Sequence, residues 1–240
     1  MNWKLPNQLT LGRIVLAGVF FVLLGIYEQG WSPGPALLRA AFVLYIVAGI
    51  TDVLDGYLAR RMNLTSAFGR IADPFVDKVL VVGAFAMLAG SNYAMRPDLY
   101  AAIPSSAALD IAGVMKVQFS SYGATAFREA DMPRWLHGGM ASGVQAWMVV
   151  VILAREFIVS AVRGYSESCG VKFPATYAGK IKMLVQSVAI CVVLIQLADF
   201  RDIAWAFWLK TACIWLAVVV TVISGFAYVG KARKLLMDGA

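Results

Sequence analysis

Thr51-Asp52-Val53-Leu54-Asp55-Gly56-Tyr57-Leu58-Ala59-Arg60, then eight residues, then Gly69-Arg70-Ile71-Ala72-Asp73-Pro74-Phe75-Val76-Asp77 sets four aspartates inside segments otherwise apolar enough to cross a bilayer. On a helix, Asp52, Asp55, Gly56, Ala59 and Arg60 fall at offsets of three and four and form one stripe. Asp73 and Asp77 are one turn apart, with Gly69 one turn before them. Two such helices facing each other converge four carboxylates on one spot. Uncompensated, desolvation and like-charge repulsion there cost several kcal/mol per ion.

Divalent cations are the expected compensation. Oxygen-only ligation suits a hard ion such as Mg²⁺ or Mn²⁺, and four carboxylates are enough to hold two of them. Gly56, Ala59 and Gly69 leave room for a ligand to approach the backbone, and Arg60 offers a guanidinium to a phosphate. Paired metals across a pyrophosphate are an arrangement for phosphoryl-type transfer. Two other readings stand beside this one. Asp73 before Pro74 has the form of a helix N-cap followed by proline at the first helical position. Acids in membrane helices also occur in ion transporters, although transport does not account for two glycines and an arginine in phase with the acids.

In order and spacing, Asp52, Asp55, Gly56, Ala59, Arg60, Gly69, Asp73 and Asp77 resemble the signature of the CDP-alcohol phosphatidyltransferases. The resemblance implies an integral membrane enzyme that moves a phosphatidyl group from CDP-diacylglycerol to an alcohol and releases CMP. It further implies that Asp52, Asp55, Asp73 and Asp77 hold two divalent cations, Mg²⁺ or Mn²⁺, and that Asp77 also deprotonates the acceptor hydroxyl. Asp52, Gly56, Ala59, Arg60 and Gly69 would line the CDP site. A homodimer in the cell membrane, the bacterial inner membrane, is likewise an implication of the family alone.

Composition supports the membrane reading independently. Sixty per cent of the 240 residues are hydrophobic, 15% are charged and mean hydropathy is +0.73, values foreign to an ordinary soluble domain. Six apolar stretches, near 8–27, 36–59, 71–91, 144–165, 179–198 and 205–229, are long enough to span. The expected fold is all-α: one polytopic bundle of six transmembrane helices over residues 1–240, entered through an interfacial N-terminal segment around Trp3. No cleavable leader is expected there, since Met1 to Thr10 has one lysine and no small-residue cleavage site. With a cytoplasmic N-terminus, 14 of the 21 lysines and arginines fall on the cytoplasmic side, together with both termini and the aspartates. The net charge of +7 then serves anionic headgroups and substrates; no basic soluble domain exists to bind nucleic acid.

A second constellation bears on the acceptor. Arg155, Val159 and Arg163 are successive one-turn neighbours in the fourth span, and Lys180 and Lys182 open the fifth. Glu156 is one acid among many cations, and a phosphate on the acceptor would neutralise the surplus, with arginine supplying bidentate geometry. The plainer alternative is that these are flank charges obeying the positive-inside bias. The run Arg155 to Arg163, with Gly170, Gly179-Lys180-Ile181-Lys182 and Gln186, resembles the phosphatidylglycerophosphate synthase branch, whose acceptor is sn-glycerol 3-phosphate. Met183 and Ser160-Ala161-Val162 depart from that branch's usual pattern. Inositol phosphate, phosphatidylglycerol or an amino alcohol therefore remain alternative acceptors, and a cation transporter the alternative of another class. Leu5-Pro6-Asn7-Gln8-Leu9-Thr10 followed by Arg13 resembles the opening of the same branch. Arg13 would meet a phosphate there or snorkel at the interface.

Residues 92–142 form an insertion between the third and fourth spans, rich in Ala, Gly and Ser, for which short interfacial helices are expected, one of them starting near Ile103 to Asp110. His137, the only histidine, falls on the side away from the aspartates and is expected to be structural or solvated. Cys169, Cys191 and Cys213 have no metal-ligand spacing, and no disulfide is expected.

Overall fold

The computed structural model describes residues 5–62, 67–95, 129, 132–168, 177–201 and 203–238, and among them the secondary structure is almost wholly helical. The long helices are α1 (Leu5–Ile26), α2 (Gly34–Met62), α3 (Ala67–Leu88), α5 (Ala146–Ser168), α6 (Tyr177–Asp199) and α7 (Ala204–Asp238); α4 (Arg134–His137) is one short turn. Each of the six apolar stretches thus coincides with one long helix. Three contain segments long and apolar enough to cross a membrane by length and composition: Gly34–Asp52, Gly179–Asp199 and Ala204–Gly230. Among the described residues α1 contributes the apolar stretch Leu11–Ile26, and α3 and α5 carry charges in their interiors, among them Asp77, Lys78, Arg155 and Glu156.

Pro6 lies in the first described turn of α1, where a missing N–H costs nothing. One expectation about a helix start changes. Helix α3 begins at Ala67, so Asp73 lies inside the helix and is not its N-cap. Helix α2 runs unbroken through Asp52, Asp55, Gly56, Ala59 and Arg60, which keeps the expected one-stripe register.

Side-chain pairs fix the helix directions. Tyr45 Oη donates to Ser187 Oγ at 3.1 Å and Arg39 pairs with Asp199, so α2 and α6 are antiparallel. Trp147 meets Trp215 and Arg155 meets Ser224, so α5 and α7 run the same way. Lys78 donates to Ser160 at one end and Ser142 to the Leu88 carbonyl at the other, so α3 opposes α5. This up-and-down order brings the second half of α2, the first half of α3, the end of α5, the start of α6 and the end of α7 to one end of the bundle.

The interior is built from Phe20, Leu24, Leu38, Tyr45, Phe85 and Ile152 with residues of α6 and α7. Large apolar side chains also point outward on every long helix, among them Val22, Ile50, Val150, Leu184 and Phe226. In a bilayer that outer face needs no cover, and helix association rests on close packing rather than on hydrophobic burial. Gly83 marks one such approach: a Cβ there would sit 2.5 Å from Phe21 Cζ.

At the opposite end a neck closes the insertion. Ala94 and Met140 form an isolated antiparallel bridge, Met95 N–H donates to Gly139 O and Ala141 N–H to Tyr93 O. Side chains of this neck satisfy carbonyls that helix ends leave open: Asn92 Nδ2 donates to Gly25 O at 2.6 Å and Tyr93 Oη to Leu24 O at 3.2 Å. His137 is buried, its Nε2 bonded to Met132 O and its Nδ1 accepting from Gly139 N–H, so it is structural. Burial lowers its pKa below the ordinary histidine value. Of the short helices expected in the insertion, α4 and the single 3₁₀ turn Ser91–Tyr93 are described; Ile103 to Asp110 lies outside the described residues. Cys191 and Cys213 are free thiols, and Cys169 lies outside the described residues.

Candidate active site

The gathered end of the bundle carries Arg13 at its centre. This arginine is 1% exposed and grips one carboxylate on each side, Asp52 of α2 at 2.7 Å and Asp77 of α3 at 2.8 Å. A buried guanidinium needs compensating acceptors, and two carboxylates from different helices supply them while α1 passes between. The sequence paired Arg13 with a phosphate or with the interface; the observed partners are the aspartates. Asp52 and Asp77 themselves are partly open, with side chains 40% and 23% exposed.

Asp55, Gly56, Ala59 and Arg60 belong to α2, and Gly69 and Asp73 to α3, but their side chains lie outside the described residues. Among the described residues no group of three or more metal-ligating side chains stands together. What is observed fits a hard cation in its chemistry: two carboxylates from facing helices already converge on one positive group, through oxygen donors alone.

Beside the carboxylates opens a pocket of about 660 Å³ between α2, α3 and α6. Asp52 and Asp77 line it together with Phe42, Ile46, Leu80 and Val188. A cavity with acids in its wall and an otherwise apolar lining matches an amphiphile whose charged part meets the aspartates.

The basic constellation sits next to it. Lys78, adjacent to Asp77, donates to Ser160 Oγ at 2.6 Å, and Ser160 in turn donates to the Glu156 carbonyl at 2.7 Å. Glu156 is buried and pairs with Arg155 at 3.0 Å and with Lys182. Arg155 Nε donates to Ser224 Oγ at 3.1 Å, and Arg163 donates to Tyr228 Oη at 3.1 Å. Arg155 and Lys182 are therefore buried and share the single carboxylate of Glu156, while half-buried Arg163 is held by Tyr228. Lys180 is exposed at the start of α6. Met183, next in sequence to Lys182, lines the pocket with Asp77, so the basic constellation begins one residue from the pocket wall.

Two features escaped the sequence reading. One is the set of partners on α7, Ser224 and Tyr228, which carry no motif and are found only by packing. The other is a buried ion pair at the opposite end, where Lys210 of α7 meets Glu129 and also donates to Ala141 O at 2.7 Å. An isolated lysine in a long apolar run was the available signal.

Residues 3–223 match the family model described as CDP-alcohol phosphatidyltransferase. Among curated proteins the chain is 31% identical to the CDP-diacylglycerol–glycerol-3-phosphate 3-phosphatidyltransferase of Bacillus subtilis (strain 168), over 98% of this chain and 97% of that protein. It is 28% identical to the proteins of the same name from Escherichia coli (strain K12) and Shigella flexneri serotype 5b (strain 8401), over 99% of this chain and the whole of each relative.

Proposed function

The chain belongs to the CDP-alcohol phosphatidyltransferase family, and we propose that it transfers the phosphatidyl group of CDP-diacylglycerol to sn-glycerol 3-phosphate, giving phosphatidylglycerophosphate and CMP. The observation that carries this reading is the adjacency of three chemistries at one end of the bundle. Carboxylates at Asp52 and Asp77, an apolar pocket of about 660 Å³ and a buried basic cluster meet there. A nucleotide lipid and a phosphorylated alcohol need those three environments. An ion pathway has no use for a large apolar wall, which weighs against transport.

In the reaction, the pocket between α2, α3 and α6 takes the diacylglycerol portion and leaves its pyrophosphate by the aspartates. Gly56, Ala59, Arg60 and Gly69 line the CDP moiety. Arg155, Arg163, Lys180 and Lys182 hold the acceptor phosphate and so fix the position of its primary hydroxyl, which converts an encounter into an oriented attack. Asp77 takes the hydroxyl proton. The acceptor oxygen forms its bond to the β-phosphorus that carries the lipid, the bond from that phosphorus to the bridging oxygen breaks, and CMP departs with the electron pair. Asp52, Asp55, Asp73 and Asp77 would hold two divalent cations, Mg²⁺ or Mn²⁺, whose chemistry is to neutralise the pyrophosphate and the leaving CMP. Arg13, bonded to Asp52 and Asp77, keeps two of these carboxylates in register.

The same reading takes all six long helices as spans, with both termini and the site cytoplasmic and the enzyme homodimeric in the cell membrane. It is tested by CMP release from CDP-diacylglycerol with Mg²⁺, the purified protein being offered glycerol 3-phosphate, inositol phosphate, serine or phosphatidylglycerol in turn. Release with glycerol 3-phosphate alone is expected; release with another of them reassigns the acceptor.

A further inference from the structure

The cations of the basic cluster are chained by two bridging residues, and one of these lies far from every motif. Glu156 joins Lys182 to Arg155. Tyr228 of α7 joins Arg155 to Arg163: its ring lies 5.5 Å from the Arg155 guanidinium carbon, and its hydroxyl accepts from Arg163 at 3.1 Å. Tyr228 is 3% exposed and packs with buried Val159, which sits between the two arginines on α5. The neighbouring turn of α7 fits the same purpose. Ser224 accepts from Arg155 Nε, and a Cβ on Gly225 would approach Arg155 Cγ to 3.2 Å.

We propose that Tyr228 is a positioning residue for acceptor binding, holding Arg155 and Arg163 in the spacing that receives the acceptor's phosphate. Arg155 and Arg163 stand two turns apart on α5 and each has a long, rotamer-rich stem, so ordering them at the moment of binding would cost affinity. A buried phenol removes that cost beforehand. Its ring attracts one guanidinium through the π face and its oxygen fixes the other through a charge-assisted hydrogen bond. Arg163 Nε is buried and lacks a hydrogen-bond partner among the described residues, which leaves that guanidinium a donor to offer a phosphate.

The inference rests on the acceptor assignment above, and the experiment separates the two. Wild-type protein, Tyr228→Phe and Tyr228→Leu are assayed for CMP release with each substrate varied, and with inorganic phosphate as competitor against glycerol 3-phosphate. Tyr228→Phe keeps the ring and is expected to raise KM for glycerol 3-phosphate about tenfold, the lower end for one lost hydrogen bond to a charged group. The inhibition constant for phosphate should rise in parallel, while kcat and KM for CDP-diacylglycerol stay within about twofold. Tyr228→Leu also removes the cation–π contact and is expected to go further in the same direction. If Tyr228→Leu does not fold, Tyr228→Phe carries the test alone. Unchanged acceptor KM and phosphate inhibition in Tyr228→Phe would overturn the proposal, as would equal losses toward both substrates. Wild-type protein that releases no CMP with glycerol 3-phosphate would instead remove the functional reading beneath it.

Discussion

Replacing Arg13 by methionine should unfasten three helices at once. Its guanidinium is 1% exposed and makes charge-assisted bonds of 2.7 Å to Asp52 and 2.8 Å to Asp77. Hydrogen bonds to charged groups contribute about 1.5–3 kcal/mol each. Here the lower end applies, because the carboxylates are 40% and 23% exposed and water takes over part of the lost interaction. Two such bonds come to about 3 kcal/mol, and at about 2–4 °C per kcal/mol for a chain of this size the midpoint should fall by about 6–12 °C. The assay is thermal unfolding in detergent micelles with chelator present, followed by tryptophan fluorescence. Arg13→Lys, which keeps the charge but not the fork, should fall between the two. Coupling gives the sharper reading: in a double-mutant cycle with Asp52→Asn, the losses should be non-additive by about 1 kcal/mol. A midpoint within 2 °C of wild type would refute the claim that Arg13 ties α1 to α2 and α3, and strict additivity would refute the pairing with Asp52.

Other expectations follow from single contacts. Lys210→Met leaves Glu129 buried beside an apolar side chain and should destabilise by about 3–5 kcal/mol, much of which Glu129→Gln in the same chain should restore; chemical denaturation in micelles measures both. Buried His137 has a lowered pKa, with Lys210 and Arg134 adding to the effect, so below about pH 6.5 the unfolded chain takes up a proton that the folded chain refuses. The stabilisation is full above that pH and is lost as pH falls, and His137→Gln should flatten this part of the stability profile between pH 7 and 5. Glu156→Gln should raise KM for the acceptor more than KM for CDP-diacylglycerol, since Arg155 and Lys182 lose the carboxylate between them. Gly83→Leu should fail to fold or melt far lower, because even a Cβ there would lie 2.5 Å from Phe21 Cζ.

The long helices were legible because an apolar run of about 20 residues has few other uses, and all six fall where the runs lie. Register within them was legible too: Asp52, Asp55 and Gly56 keep their stripe because nothing between them breaks α2. Contacts across the bundle were not. Arg13 and Asp77 are 64 residues apart and Lys182 and Glu156 are 26 apart, and local spacing says nothing about which helices meet. Glu156 read as one weak counter-charge, whereas the fold makes it the bridge between two cations. Tyr228 was invisible because a tyrosine near the end of an apolar span is ordinary until its neighbours are known. Lys210 lies so deep in an apolar helix that it requires a buried acid, but its partner Glu129 is 81 residues away and local spacing does not point to it. Short interfacial helices were expected in the insertion, but its neck, held by backbone bonds and by side chains that cap α1 and α3, was not legible, because those bonds join residues far apart in sequence.

The central claim is that Asp77 serves a transfer to glycerol 3-phosphate. The measurement that tests it most directly is the incorporation of labelled glycerol 3-phosphate into organic-soluble lipid by purified protein supplied with CDP-diacylglycerol, comparing wild type with Asp77→Asn in Mg²⁺ and in chelator. Labelled phosphatidylglycerophosphate formed in step with CMP by the wild type, and abolished both by Asp77→Asn and by chelation, is the predicted result. Undiminished incorporation by Asp77→Asn, or no incorporation by a folded wild-type protein, would contradict it.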